Sequence, residues 1–239
     1  MSAKFEAAAG TIVGTAHLHA GRNGQDGFAI HRRDDITVAV VTDGCGSSPH
    51  SEVGAKIGAA IVARCVACSG GLQAADGGLK PAATQIIEQL RIIASALGDD
   101  IVRVVNEYLL FTIVGVVITP EETIVFSAGD GLFAINGIER VLGPYPGNAP
   151  PYLGYSLIDG NSPAFTIEAR IPTAMVETIV IATDGATRLA GALEAFWTDE
   201  LVFRNPDAVR RKLFVLTRKR EAVLDDDTTI VVLRRRDAA

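Results

Sequence analysis

The chain has 239 residues, 48% of them apolar, with a net charge of −6 and a pI near 5.2. That size can fill one large hydrophobic core, and no Pro/Ser-rich linker or charge block divides the chain, so residues 1–239 read as a single domain. The acidic balance excludes a general attraction to nucleic acid or anionic membrane, and three cysteines are too few for a disulfide framework.

Thr11 to His19 alternate in polarity and predict a strand, and a polar loop follows, Gly21-Arg22-Asn23-Gly24-Gln25-Asp26. Phe28 to Ile30 and the β-branched run Ile36 to Val41, preceded by Asp34-Asp35, predict two more strands and hence an antiparallel meander. The last of these strands delivers Asp43-Gly44. Asp-Gly at a strand end commonly makes a hairpin turn, yet no returning strand follows. Instead Cys45-Gly46-Ser47-Ser48-Pro49 leads into a helix from about Pro49 to Cys68, with Ser48 as its expected N-cap, Pro49 at the first helical position and Glu52 in the first turn. Its apolar stripe is Val53, Ile57, Ala60, Ile61 and Ala67; Cys65 and Cys68 lack the further ligands of a zinc site and read as core.

A loop with Gly70, Gly71, Gly77 and Gly78 precedes a second helix, about Pro81 to Leu97; Asp100 to Tyr108 suits helix and strand equally. Strands dominate from Leu109, with turns at Pro120-Glu121-Glu122 and Asn136-Gly137. The run Ile124 to Ala128 ends in Gly129-Asp130-Gly131 and is followed by Leu132 to Ile135, which makes a hairpin the strong reading at Asp130. Gly143 to Gly154, rich in proline, reads as an irregular surface loop or flap.

Strands follow at Phe165 to Ile171 and Thr178 to Thr183, and the second ends in Asp184-Gly185, repeating the earlier Asp-Gly. One helix, about Pro206 to Glu221, carries Arg210-Arg211-Lys212 and Arg218-Lys219-Arg220 on a solvated face. Asp225-Asp226-Asp227-Thr228-Thr229 then opens a strand, Ile230 to Leu233, and Arg234-Arg235-Arg236 reads as a solvated tail. This order is not a regular βαβ alternation; it favours an α+β fold of antiparallel sheets packed by helices. The longest apolar run, Tyr108 to Thr119, falls short of the ~20 residues that span a bilayer. The N-terminus shows no secretory pattern, so no membrane partner and a cytoplasmic location are expected.

If Asp43, Asp184 and Asp226 converge, each pair about 4 Å apart repels by roughly 4 kcal/mol at an effective dielectric near 20. Such a cluster needs protons or cations. Oxygen ligands without zinc-spaced His or Cys point to Mg²⁺ or Mn²⁺, and Gly44 would let a cation approach its carbonyl. Two such ions could ionise a water for an in-line phosphoryl displacement.

Gly14-Thr15-Ala16-His17 with Gln25-Asp26, Val41-Thr42-Asp43-Gly44, Ala128-Gly129-Asp130, Ala182-Thr183-Asp184-Gly185 and Asp226-Asp227-Thr228-Thr229 together resemble the ordered motifs of the metal-dependent type 2C (PPM) Ser/Thr protein phosphatases. The likeness spans roughly residues 10–235 and is nearest the bacterial branch. It implies a β-sandwich of two antiparallel sheets flanked by helices, in four α-β-β-α layers, with a binuclear Mn²⁺/Mg²⁺ centre at one end. By the resemblance, Asp43 bridges two ions, the Gly44 carbonyl binds one, and Asp184 and Asp226 bind the other. Asp26 holds a water at the centre, and Asp130 matches a ligand of a third ion. Arg22 and His17 are assigned to the substrate, Arg22 through its phosphate and His17 through the cleft. The implied reaction is hydrolysis of phosphoserine or phosphothreonine on a protein, the implied partners are that phosphoprotein and a cognate Ser/Thr kinase, and a monomer is expected.

Four departures stand out; in the first, Arg22 lies four residues before Asp26, where the family's phosphate-binding arginine usually lies five before. Gln25 replaces an acid, Cys45 occupies the place of a histidine proposed as general acid, and Arg188 stands where some relatives carry an acid for the third ion. The last three motivate an alternative, a phosphatase-like regulatory or binding module with weak turnover. A two-metal nuclease or small-molecule phosphohydrolase is a further alternative, and the lack of a basic stripe counts against nucleic acid.

Overall fold

The computed structural model describes residues 5–33, 35–69, 79–162, 164–189, 191–218 and 224–236. Two five-stranded antiparallel sheets face each other. One has the order β1 (Phe5–Ile12), β10 (Thr228–Arg235), β9 (Thr178–Ala182), β6 (Gly131–Ile135), β7 (Ile138–Leu142). The other has the order β2 (Asp26–Arg33), β3 (Ile36–Gly44), β4 (Phe111–Ile118), β5 (Glu122–Ala128), β8 (Thr166–Pro172).

Helices cover both outer faces. α2 (Ser51–Cys68), α3 (Lys80–Leu97) and α4 (Ile101–Tyr108) belong with the second sheet, and α5 (Glu194–Thr198), α6 (Glu200–Arg204) and α7 (Ala208–Arg218) with the first. A strand sealed on both faces must be apolar at successive positions, which is why β3 reads as a continuous run rather than an alternation. Val38 and Val40 join the layer beneath the helices, while Ala39 and Val41 pack between the sheets with Val114, Ile181 and Val231. Each fully buried side chain of this kind contributes about 1.5–3 kcal/mol. No described helix is long and apolar enough to cross a membrane.

Several expectations are corrected. Residues 15–19 form a short helix, α1 (Thr15–His19), because Thr15 and Ala16 donate their N–H groups to the carbonyls of Leu224 and Asp225 and so leave the strand direction. β1 lies earlier and pairs with β10 rather than with β2, so the first strands are no meander. At Asp130 the chain makes no hairpin: β5 and β6 lie in different sheets. Gly129 (φ +106°) and Gly131 (φ +143°) take the conformations that make this crossing.

Ser48 does not cap α2, which begins at Ser51; the Ser48 hydroxyl instead donates to the carbonyl of Asn106 at 2.6 Å. Asp100 to Tyr108 resolves as helix, with the Asp100 side chain capping α4 through the N–H of Arg103. Among the described residues, three α-helices rather than one lie between β9 and the last strand. Arg234 and Arg235 belong to β10 and pair with Glu6, Glu200 and Glu177, so they form no solvated tail. Cys65 is buried as expected, but Cys68 is exposed. Asp34, the glycine loop at Gly70 to Gly78, and Lys219, Arg220 and Glu221 lie outside the described residues.

α2 reaches α4 through a glycine: a Cβ on Gly54 would overlap the carbonyl oxygen of Tyr108. Alanine favours a helix interior by about 1 kcal/mol, but forced overpacking costs about 1–3 kcal/mol and backbone yields less than side chain. Gly54→Ala therefore lowers the urea midpoint, a net loss of up to about 2 kcal/mol once the helix gain is subtracted; a midpoint equal to or above that of the unmodified chain contradicts the close approach.

Candidate active site

The ends of the two sheets meet at one edge of the sandwich, and the acidic side chains sit at that seam. Asp26 opens β2 directly opposite Asp43 near the end of β3. Asp184 follows β9 and opens a 3₁₀ turn, and Asp226 stands just before β10. Asp130 lies on the crossing between the sheets.

A cavity of about 140 Å³ is lined by Asp43, Gly44, Asp130, Asp184, Asp226 and His17, with Gln25, Cys45, Gly46, Thr112, Pro150 and Tyr152 completing the wall. Asp26 is buried behind Asp43, and Arg22 stands outside the lining, its guanidinium donating to the rim carbonyl of Gly46 at 2.9 Å. Arg188 turns away to Asp225 at 3.8 Å. The structure thus brings together every acidic residue singled out in the sequence and leaves Arg22 at the edge.

Like charges in a poorly solvated site shift one another's protonation. Burial holds Asp43 well above the usual carboxylate range, and the charges of Asp26, Asp184 and Asp226 add to it. Burial likewise lifts Asp26 to about 7, against a hydrogen bond from Thr183, and lifts Asp184 to about 6 with the charges of Asp226 and Asp130. Asp130 is raised by burial as well. One oxygen of Asp26 and one of Asp184 are buried without a hydrogen-bond partner.

This set of hard, charged oxygens with unpartnered lone pairs fits divalent cations such as Mg²⁺ or Mn²⁺. Among the described residues, no three His, Cys, Asp or Glu side chains already stand as a closed ligand set, so the fit is one of donor chemistry in an open cavity. Gly44 is needed for packing: a Cβ there would come within 2.8 Å of the Ser51 hydroxyl, on a side chain that donates to the carbonyl of Cys45 and accepts from the amide of Gln25.

Cys45 is buried in part, which raises its thiol, but hydrogen bonds from Ser47, Tyr152 and Ser48 outweigh this and lower it. The Tyr152 hydroxyl is pushed up by burial and by its bond to Cys45.

Two supporting residues were not picked from the sequence. Thr183 donates its hydroxyl to Asp26 at 2.7 Å and accepts the N–H of Thr229 at 2.9 Å, joining the two sheets behind the cavity. Asp227 is buried and accepts the N–H groups of Gly14 at 2.7 Å and Gln25 at 2.5 Å. Both sit beside residues that were picked, in the strings Thr183-Asp184 and Asp226-Asp227. That adjacency was the available signal.

The family model for protein phosphatase 2C matches residues 13–222. The chain belongs to the protein phosphatase 2C family. No curated protein matches it. Among solved structures, the fold is similar to that of the Streptococcus agalactiae serine/threonine phosphatase, 16% identical, TM-score 0.65, covering 98% of this chain and 100% of that one. It is similar also to PppA, a regulatory component of the type VI secretion system in Pseudomonas aeruginosa, at 16% identity and TM-score 0.63, covering 98% and 99% of the two chains. Stp1 from Staphylococcus aureus is 14% identical at TM-score 0.58, covering 99% and 97%. At such identities these likenesses establish the phosphatase 2C fold, a helix-flanked sandwich of two antiparallel sheets.

The raised carboxyls make stability depend on pH in a definite direction. A carboxyl whose folded value exceeds its unfolded value of about 4 holds its proton more tightly in the folded chain, so stability is greatest at low pH and declines as pH rises toward the folded value. With Asp26 at about 7 and Asp184 at about 6, that window runs from about pH 4 to about pH 7. Exposed Asp207, held at about 2 by Arg210 and Arg211, titrates below it. In EDTA the melting temperature falls between pH 5 and pH 8, and Mn²⁺ reduces the fall; a flat or rising profile in EDTA contradicts the assignment.

Proposed function

We propose that this phosphatase 2C family member is a protein serine/threonine phosphatase that hydrolyses phosphoserine and phosphothreonine with the aid of Mn²⁺ or Mg²⁺. The observation that carries the reading is the convergence of Asp43, Asp130, Asp184 and Asp226, from both sheets, on one cavity where burial opposes the ionisation of Asp43, Asp130 and Asp184. Asp43, the Gly44 carbonyl, Asp184 and Asp226 would hold two ions, and Asp130 a third. Bound there, the ions would supply an ionised water at neutral pH and neutralise charge on the phosphoryl oxygens.

The chain's own groups do the rest. Asp26, buried behind Asp43 and gripped by Thr183, would help hold a water at the centre from behind Asp43. Arg22 at the rim, anchored on Gly46, offers a guanidinium to an incoming phosphate. The cavity volume, about 140 Å³, suits a phosphorylated side chain rather than a large ligand.

We read residues 10–235 as one catalytic unit acting in the cytoplasm, as a monomer, on a phosphoprotein made by a cognate Ser/Thr kinase. PppA, a regulatory component by its description, is consistent with such a substrate.

With Mn²⁺ the chain releases phosphate from a phosphoserine peptide, and EDTA abolishes the release. Asp43→Asn lowers kcat by at least about 10²-fold, the scale on which single electrostatic partners of a transition state act. The same change raises the melting temperature in EDTA, because one member of the repelling set is removed. Equal rates with Mn²⁺ and EDTA, or full activity in the variant, reject the reading.

A further inference from the structure

A serine or threonine alkoxide leaves phosphorus readily only if it is protonated as the bond breaks, and a positioned acid supplies about 10²–10⁴-fold. Among the residues lining the cavity, His17 is the imidazole, and its surroundings orient it. Its Nδ1 is buried 3.0 Å from Oδ2 of Asp227, at ion-pair distance though without the alignment of a hydrogen bond. Asp227 is itself fixed, 2% exposed and gripped by the N–H groups of Gly14 and Gln25.

The helix that carries His17 is tied to the loop that carries Asp226 and Asp227 through the bonds from Thr15 to Leu224, 3.1 Å, and from Ala16 to Asp225, 3.0 Å. The backbone that carries the imidazole is therefore anchored to the loop that carries Asp226 and Asp227. With Nδ1 turned inward to Asp227, Nε2 is the nitrogen left for the cavity. A histidine oriented through one nitrogen by a buried carboxylate, with the other free, is the arrangement that moves protons in hydrolytic sites.

We propose that His17, oriented by Asp227, donates the proton to the leaving serine or threonine oxygen. The inference rests on the phosphatase reading above. In the step, the oxygen of water bonds to phosphorus while the P–Oγ bond breaks, leaving its electron pair on Oγ. Oγ takes the proton from Nε2, and the proton given up by water returns to the imidazole through solvent, so no further reagent is needed. Asp227 is a positioning residue, and His17 is the catalytic one.

The test compares two substrates, a phosphoserine peptide, whose alkoxide needs a proton, and p-nitrophenyl phosphate, whose phenolate leaves without one. In Mn²⁺, His17→Gln loses at least about 10²-fold more kcat on the peptide than on p-nitrophenyl phosphate. Asp227→Asn, which keeps one of the two oxygens that accept from Gly14 and Gln25, shows the same selectivity with a smaller ratio. Equal losses on the two substrates, or no loss on either, overturn the donor role for His17; equal losses in Asp227→Asn alone overturn the positioning role. An unmodified chain inactive on both substrates defeats the phosphatase reading itself, and this inference falls with it.

Discussion

The mutual repulsion of buried carboxylates at the seam of the two sheets is the constraint on which the site depends. The neighbours Asp26 and Asp43 on β2 and β3, Asp184 after β9 and Asp226 before β10 come from three separate parts of the sequence, and their approach is tolerable only with protons or cations between them. Protons stay on Asp184 up to about pH 6 and on Asp26 up to about pH 7, and under the proposed function divalent ions replace them, held in a seam whose packing sets the spacing of the carboxylates.

What closes the seam is apolar. Ala39, Val41, Val114, Ile181 and Val231 pack between the sheets and fix the distance between β3 and β9, and with it the distance between Asp43 and Asp184. Polar links then set the aim of individual groups. Thr183 spans from Asp26 to the backbone of Thr229, and Asp227 ties the loops at Gly14 and Gln25 to the start of β10. Each of these links satisfies a group that would be costly to bury alone, so the same bonds that stabilise the edge of the sandwich also hold the side chains around the cavity in place.

Much of this was legible from residue patterns that are local. The doubly buried run of β3, the two Asp-Gly strand ends and the Asp run before β10 announced where carboxylates leave the sheets, and the family motifs joined them. What was not legible depends on partners distant in sequence. α1 exists because Thr15 and Ala16 reach the carbonyls of Leu224 and Asp225, which no periodicity near Thr15 reveals. The crossing at Asp130 looked like a hairpin because a strand does follow, but sheet membership is decided by pairing with β9, not by nearness in the chain. The Asp226-Asp227 string showed two carboxylates without showing which faces the cavity and which turns inward to the backbone. Arg234 and Arg235 read as tail only because Glu6, Glu177 and Glu200 lie elsewhere in the sequence.

The most direct test of the central claim is to count the protons released when Mn²⁺ binds, by isothermal titration in buffers of differing ionisation enthalpy. Carboxyls that hold their protons at about 6 and about 7 must give them up to a cation. The account predicts net proton release near pH 6 that shrinks as the pH rises toward 8 and is reduced in Asp184→Asn. Binding without proton release at pH 6, or no binding at all, would contradict it.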